Sequence, residues 1–502
     1  MEKTLEMING FVWGIPALVL ILGVGIYLSV ATRFAQIRFL PRALRSFFAK
    51  LRRGKAHKDA VSPFQALCTA LAATVGTGNI AGVAGAIAIG GPGSIFWMWI
   101  CALFGMITKF AEATLAVRYR VRGTDGNYTG GPMYMIRNGM GRSWHWLASA
   151  YCFFGVIAAF GMGNATQINA VITSVNSAIS SLGGVPSLRA NLFMAAVIAA
   201  VMICMLLGGA KRIGRVAERL VPFAAAAYLL LGSGALVCNA RAIPGALRSI
   251  IEGAFSPKAA TGGMLGSAFL ALRVGVSRGV FTNEAGMGTA SIAHGAAQVD
   301  HPAEQGLMGI MEVFLDTIVI CTMTALVILC SGTVIPYGTD EGAVLTTRAF
   351  ACTYGSWISI PIALFLCCFA FATMLGWGLY GARCAQYLFG EGSLKLFVFI
   401  QGGVVVLSAL LKTQTVWMLS ETVNGLMAIP NLIALAVLSP ELLCLTKDFN
   451  IYLHEKCING GTNESFNQRK SMRALTYEKI SSPCCFSQSK REEDIPSEHR
   501  SA

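Results

Sequence analysis

The stretch Ala72-Ala73-Thr74-Val75-Gly76-Thr77-Gly78-Asn79-Ile80-Ala81-Gly82 decides the fold of this chain. It lies inside an apolar segment, residues 64–89, that is long enough to span a bilayer. Glycine weakens a helix and an amide is costly in hydrocarbon, so a plain membrane helix would avoid this composition. Non-helical backbone at membrane depth occurs only where protein buries it or a wet cavity borders it. The stretch therefore predicts a discontinuous helix, of the kind that holds substrate and coupling ions in secondary transporters.

The composition is that of a membrane protein. Of the 502 residues, 55% are hydrophobic and only 13% are charged, whereas soluble domains carry about 25% charged residues. We predict an all-α polytopic membrane protein with about eleven transmembrane helices. The candidate spans are residues 11–31, 64–89, 94–117, 147–172, 191–209, 219–238, 264–292, 306–331, 357–381, 395–411 and 415–438.

The net charge of +14 does not indicate a nucleic-acid partner. Its Lys and Arg residues concentrate between spans one and two, after spans three and five, and in the C-terminal tail. With eleven spans, all of these segments fall on one side of the membrane. Because basic loops stay in the cytoplasm, we expect the N-terminus outside and the C-terminus inside, in a bacterial plasma membrane. The lipid bilayer is the expected environment, and we expect a monomer.

Two sets of five spans follow the first one. Spans two and seven begin the two sets, and both contain glycine-rich interruptions. An odd number of spans per set inverts one set relative to the other, so we predict one peripheral N-terminal helix plus a 5+5 inverted-repeat core with discontinuous helices. The predicted domains are 1–32 (peripheral helix), 33–63 (basic cytoplasmic loop), 64–238 (first repeat), 239–263 (outer loop with an interfacial helix), 264–438 (second repeat) and 439–502 (polar cytoplasmic tail).

Residues Gly76, Thr77, Gly78 and Asn79 are the first candidates for substrate binding. If the helix unwinds here, freed N–H groups and the positive end of the following half-helix would face an anion. The freed carbonyl groups would face a cation. The alternative is close helix packing, since Gly78 and Gly82 form a small-xxx-small pair.

Three other spans contribute polar candidates. In span four, Gly163 and Gln167 lie in a polar run, and a glutamine amide can both donate and accept; a helix–helix hydrogen bond is the alternative. In span seven, Asn283 belongs to a Thr282–Glu284 run. This run either binds substrate or forms an interfacial clamp between Arg278 and Glu284. Acids also occur in spans three and eight. Lys109 could neutralise Glu112, and Asp316 could border a cation path or take part in interhelical hydrogen bonds.

Met374 and Trp377 share one face of span nine, one turn apart. As a pocket wall they would admit only a small side chain, although such a stripe is more often helix core.

The six histidines are scattered, and no nucleophile or phosphate-binding motif is present, so we do not expect an enzyme. A channel-like membrane protein is the less favoured alternative, because neither a repeated selectivity-filter segment nor a ring-forming acidic cluster is visible. We expect no cofactor.

Several motifs together resemble the alanine/glycine:cation symporter family, over roughly residues 11–440. They are Thr74–Gly82, Ala86–Trp99, Gly130–Tyr134, Arg278–Gly286, Asp316-Thr317 and Leu375–Trp377. The resemblance implies symport of alanine or glycine with sodium as the coupling ion, or in some members with a proton.

The resemblance also implies residue roles. The substrate would bind at Gly76–Asn79, flanked by Gln167 and by Met374 and Trp377. A sodium site would lie between spans two and nine, at the backbone of Ala72–Val75 and the hydroxyl of Thr373. The chain departs from the family pattern at Ala372, where a serine is common, and at Ala382, where a glutamate is common. The first departure removes a hydroxyl that could bind the cation.

Overall fold

The computed structural model describes residues 12–53, 61–123, 126–255, 268–339, 341–411 and 413–458, with residues 7, 9 and 10 before them. Helices occupy nearly all of these ranges. In chain order they are α1 Ile15–Ala31, α2 Ala35–Arg53, α3 Pro63–Thr74, α4 Ala81–Gly90, α5 Gly93–Arg118, α6 Pro132–Gly139, α7 His145–Phe160, α8 Thr166–Ser181, α9 Leu188–Leu206, α10 Gly209–Cys238, α11 Ile243–Phe255, α12 Ala268–Asn283, α13 Thr289–Gly295, α14 Pro302–Val313, α15 Thr322–Cys330, α16 Ala343–Tyr354, α17 Ser359–Phe389, α18 Ser393–Ser408, α19 Thr413–Val437 and α20 Ser439–Ile458.

Seven helical segments of the described chain are long and apolar enough to cross a membrane, which confirms a polytopic helical protein. They are Gly93–Arg118, Arg142–Ser181, Leu188–Leu206, Gly209–Cys238, Pro302–Cys330, Ser356–Phe389 and Met418–Val437. Predicted span one corresponds to α1, spans two and seven to broken helices, and span ten to the shorter α18. The number eleven and the repeat remain predictions.

Predicted span two is broken in the structure. Its first half, α3, begins at a capping box in which Ser62 and Gln65 bond each other's backbone N–H groups, with Pro63 at the first helical position. The helix ends at Thr74, and a short turn over residues 76–79 leads into α4. We call residues 76–79 the first break. Every residue of the first break is buried.

Predicted span seven is broken in the same manner, between α12 and α13. The backbone φ angle is positive at Glu284 (54°), Gly286 (91°) and Gly288 (75°). Only glycine adopts such angles without strain, so a glutamate at +54° marks a constrained site. We call residues 284–288 the second break. The first break lies against the end of α12, just before the second break, since a Cβ on Gly78 would lie 2.9 Å from Cγ2 of Thr282.

Some connecting segments contain more structure than the sequence indicated. The predicted basic loop 33–63 contains the helix α2, and the axis bends by 81° between Pro16–Ala31 and Ala35–Leu51. The helix α11 occupies the place of the predicted interfacial helix. A small antiparallel sheet pairs Val121–Arg122 with Tyr128–Thr129.

The predicted polar tail, 439–502, begins with the helix α20 rather than with irregular chain. Residues 459–502 lie outside the described part of the structure. The chain divides into two units, Met1–Leu442 and Leu443–Ala502. All candidate site residues belong to the first unit.

Candidate substrate and ion site

Asn79 organises the first break. Its Oδ1 accepts a hydrogen bond from the backbone N–H of Gly76 at 2.9 Å, which closes the turn. Its Nδ2 donates to Oδ1 of Asp316 at 2.6 Å. Both side chains are fully buried. Asn79 therefore uses its amide to hold the unwound backbone and to join it to the helix that contains Asp316.

Thr373 of α17 contacts the first break from the other side. Its hydroxyl donates to the backbone carbonyl of Ala72 at 3.0 Å. A Cβ on Gly76 would lie 2.5 Å from this hydroxyl oxygen and 3.7 Å from Oε1 of Gln167. Gly76 is thus required for the close approach of three chain segments. Val75 and Ala372 are also buried here in the interior.

Two buried polar atoms beside the first break have no hydrogen-bond partner among the described residues. They are the hydroxyl of Thr77 and the Oε1 atom of Gln167. Gln167 does donate through Nε2 to the carbonyl of Met162 at 3.0 Å. Because buried polar groups are normally paired, unpartnered oxygens next to an unwound turn favour a site that takes up a polar molecule.

A chain of hydrogen bonds links the two breaks. From Asn79 it passes to Asp316, whose Oδ2 accepts from the hydroxyl of Thr317 at 2.8 Å. That same hydroxyl accepts from Nδ2 of Asn283 at 3.1 Å. Asn283 Oδ1 in turn accepts from the backbone N–H of Ala285. Asn283 therefore holds the second break, as Asn79 holds the first.

Trp377 is anchored to the second break. Its indole Nε1 donates to Oε1 of Glu284 at 2.7 Å, and the hydroxyl of Thr289 donates to Oε2 of that carboxylate at 2.5 Å. Gly163 packs directly against Trp377, because a Cβ on Gly163 would lie 2.5 Å from Cβ of Trp377. Met374 lines an apolar pocket of about 270 Å³ together with residues of α8, α9 and α10, among them Val171, Val197 and Leu220.

The structure corrects two pairings considered from the sequence. Arg278 pairs with Glu421 at 3.0 Å, so the clamp between Arg278 and Glu284 is wrong. Lys109 pairs with Glu312 at 2.9 Å, and not with Glu112. In the polar run of span four, the alternative of a helix–helix hydrogen bond is found at Asn169, which donates to the carbonyl of Ser408.

Glu112 instead stabilises the second break. Its Oε1 accepts from the backbone N–H groups of Gly286 (3.0 Å) and Gly288 (3.1 Å) and from Nδ2 of Asn431 (2.7 Å). A carboxylate that accepts several N–H groups is well suited to hold unwound backbone. Its role at this position is structural support for the turn.

Sequence reasoning missed a buried charged group beside the second break. Glu312 accepts from Lys109 and lies 2.9 Å from His294 Nε2, whose other ring nitrogen lies 2.6 Å from Nε2 of Gln305. The available signal was the presence of Glu312 and Gln305 in an apolar span. In the described ranges, no three His, Cys, Asp or Glu side chains gather as they would around a metal ion.

The sequence as a whole matches the model of the sodium:alanine symporter family over residues 1–463. The chain belongs to that family. A relative named sodium/alanine symporter AgcS, from Methanococcus maripaludis, is 44% identical over 450 residues, covering 88% of this chain and 96% of the relative. A second relative, named probable sodium/glutamine symporter GlnT, from Bacillus subtilis, is 37% identical and covers 89% of this chain and 91% of its own.

The fold of this family member is also similar to a solved structure. It matches the crystal structure of MhsT in complex with L-phenylalanine with a TM-score of 0.57. The match covers 76% of this chain and 90% of the other, at 16% sequence identity. At that identity the likeness concerns the fold alone. Family and fold together make the chain a multi-pass membrane protein of the amino-acid symporter class.

Proposed function

We propose that this protein imports a small neutral amino acid, alanine or glycine, together with sodium by alternating access. The observation that supports it most is the first break, with the Thr77 hydroxyl and Oε1 of Gln167 buried beside it without partners. The relative named sodium/alanine symporter supports the same substrate class. Because another relative is named probable sodium/glutamine symporter, the substrate side chain that this protein accepts has to be measured.

In this proposal the amino acid lies at the first break. Its carboxylate binds the freed N–H groups at the beginning of α4, where the helix dipole favours an anion. Its ammonium group donates to Oε1 of Gln167 and to the hydroxyl of Thr77, which are acceptors available at this level of the membrane. Trp377, together with Met374, limits the room for a side chain.

Sodium lies on the other side of the same turn. The carbonyl oxygen of Ala72 and the hydroxyl of Thr373, 3.0 Å apart, are close enough for one cation to contact both. The carbonyl of Val75, at the end of α3, would complete the backbone ligands. Oxygen donors suit a hard cation. Because Thr373 approaches both Ala72 and Gly76, ion binding and substrate binding share one structural element, which is what coupling requires.

The energetics allow accumulation. One cation that moves down a potential of about 100 mV supplies about 2.3 kcal/mol. A tenfold ion gradient adds about 1.4 kcal/mol, and the sum corresponds to roughly several-hundred-fold accumulation of substrate.

The test is uptake of labelled alanine, glycine and glutamine into proteoliposomes, with a sodium gradient and a proton gradient imposed in separate experiments. We expect alanine or glycine to be concentrated when sodium is the driving ion. Accumulation with a proton gradient alone would replace sodium by the proton, and equilibration without accumulation under either gradient would contradict symport.

Gln167→Ala gives the residue-level control. We expect it to raise the alanine concentration for half-maximal uptake, because it removes an acceptor for the ammonium group. The matched variant is Asn169→Ala on the same helix, which removes hydrogen bonds to Ala165 and Ser408 instead. Equal effects of both variants on half-saturation would contradict a role of Gln167 in binding.

A further inference from the structure

Helix α2 lies apart from the candidate site and has three distinct faces. The first face packs on protein, with Ala35, Phe39 and Ala43 buried. The ring of Phe39 lies 5.9 Å from that of Phe110 in α5, and the ring of Phe47 lies 6.1 Å from that of Phe64 in α3. One side of α2 therefore packs against α3, which leads into the first break, and against α5.

The second face of α2 is apolar and exposed. Ile37, Phe48 and Leu51 are 52%, 54% and 47% exposed, and Leu44 lies between them on the same stripe of the helix. The positions 37, 44, 48 and 51 follow the spacing of one helical face. Such a stripe beside a membrane span indicates contact with acyl chains rather than with water.

The third face of α2 is basic. Arg38, Arg42 and Arg45 are exposed on it. The sequence contains no acidic residue between Glu6 and Asp59, so nothing in this part of the chain neutralises them locally. Within the described residues, Arg42 and Arg45 form no hydrogen bond or ion pair, whereas Arg38 donates to the carbonyl of Thr32.

The direction of α2 fits a surface helix. Its axis turns by 81° from that of the apolar helix before it. If that preceding helix crosses the bilayer, α2 runs along the surface, with its apolar stripe toward the acyl chains and its arginines at the level of the headgroups. An amphipathic helix with arginines and without acids is the form that recognises anionic lipid.

We propose that α2 is a binding site for anionic phospholipid headgroups of the cytoplasmic leaflet, and that lipid bound there supports transport. The arginines at positions 42 and 45 provide the charge, and the apolar stripe provides the insertion. Because α2 packs on Phe64 near the beginning of α3, lipid bound to it stabilises the half-helix that leads to the first break. Phosphatidylglycerol is the natural probe because its headgroup has one negative charge.

The first experiment measures binding without transport. Phosphatidylglycerol is titrated into the purified full chain in a neutral detergent, with phosphatidylcholine as the reference lipid, and the unfolding temperature is recorded. We expect phosphatidylglycerol to raise it and phosphatidylcholine to leave it unchanged. In the variant Arg42→Gln/Arg45→Gln, the phosphatidylglycerol concentration at the midpoint should rise about thirtyfold, the loss expected for two arginines at an anionic surface.

Two further variants make the test decisive. Arg42→Lys/Arg45→Lys keeps the charge and should keep most of the response. Arg189→Gln/Arg241→Gln removes two exposed arginines that lie outside α2 and should respond as the unmodified protein does. An equal loss in this control, or an equal response of Arg42→Gln/Arg45→Gln and the unmodified protein, would overturn the proposal.

The second experiment adds transport. Uptake into phosphatidylcholine vesicles is compared with uptake into vesicles in which one third of the lipid is phosphatidylglycerol, at matched protein orientation. We expect a several-fold higher initial rate with phosphatidylglycerol, and no such gain for Arg42→Gln/Arg45→Gln. The same rate in both vesicles would refute the link to transport. The unfolding measurement needs no substrate, so its outcome is independent of the function proposed above.

Discussion

At the scale of single residues, Thr373 contacts the backbone on both sides of the point where α3 ends. Its hydroxyl lies 3.0 Å from the carbonyl of Ala72, and a Cβ on Gly76 would lie 2.5 Å from it. The neighbouring Ala372 is buried and has no side-chain oxygen. In the proposed sodium site, a cation would therefore have one side-chain oxygen from α17, that of Thr373.

The first prediction concerns these two positions. Thr373→Ala should strongly raise the sodium concentration for half-maximal alanine uptake or abolish uptake, because it removes the remaining hydroxyl. Thr373→Ser keeps the hydroxyl, so this variant should take up alanine as the unmodified protein does. Ala372→Ser should lower the half-saturating sodium concentration, since it adds an oxygen ligand. The measurement is initial uptake against sodium concentration in proteoliposomes. A flat sodium response in all variants and in the unmodified protein would exclude sodium at this site.

At the scale of elements, the two broken helices depend on polar side chains from helices that are continuous there. Asp316 holds the first break through Asn79, and Glu112 holds the second through two backbone N–H groups. Beside them, Glu312 of α14 accepts from Lys109 of α5 and lies within hydrogen-bond distance of His294 of α13. Unwound backbone is costly in a membrane interior, and Asn79 and Glu112 compensate part of the loss by accepting from backbone N–H groups of the two breaks.

The second prediction concerns the Lys109–Glu312 pair, in which both side chains are fully buried. Lys109→Met should lower the free energy of unfolding by about 3–5 kcal/mol, because it leaves a buried carboxylate without its cation. The double variant Lys109→Met/Glu312→Leu should recover much of the loss, since it removes both charges. Thermal unfolding in detergent measures the effect.

The control for this prediction is Arg248→Gln, which breaks the exposed Arg248–Glu252 pair in α11. Exposed pairs contribute little because water solvates both partners, so no measurable change in unfolding is expected. If Lys109→Met unfolded at the same temperature as Arg248→Gln, the buried pair would have no stabilising role.

At the scale of the whole molecule, basic residues indicate which ends of the helices face the cytoplasm. The arginines of α2 and the basic residues at the beginning of α10 lie in segments between spans, and the eleven-span arrangement assigns both segments to one side. The helices α11 and α16 follow spans that end on the opposite side. Lys and Arg on short loops resist transfer across the membrane, so their side is expected to be the cytoplasm.

The third prediction tests this orientation with a membrane-impermeant maleimide. In right-side-out vesicles the reagent should modify Cys352, an exposed cysteine of α16. In the variant Lys211→Cys, whose position at the beginning of α10 is exposed, the new thiol should react only in inside-out vesicles. Peptide mass spectrometry identifies the modified cysteine. Modification of both positions from the same side would contradict the proposed topology.

Much of the fold could be predicted because it follows from local composition. The low charge and the apolar runs indicated a polytopic membrane protein, and seven long apolar helices confirm it. The glycines and asparagines inside spans two and seven indicated the two breaks, since such residues weaken a helix whatever its tertiary contacts are. The helix within residues 33–63 was missed because its high density of basic residues was interpreted as a loop.

The sequence by itself determined where the chain is membrane-embedded and where its helices break, because hydrophobicity and backbone freedom are properties of the residues themselves. Only the tertiary structure decided the polar partners. Asn79 bonds Asp316 from 237 positions away, and Lys109 bonds Glu312 across 203 positions rather than Glu112 in its own helix. Pairing of buried charges depends on distance and orientation between distant segments. Spacing along one helix cannot specify that geometry, which arises only when the helices pack together.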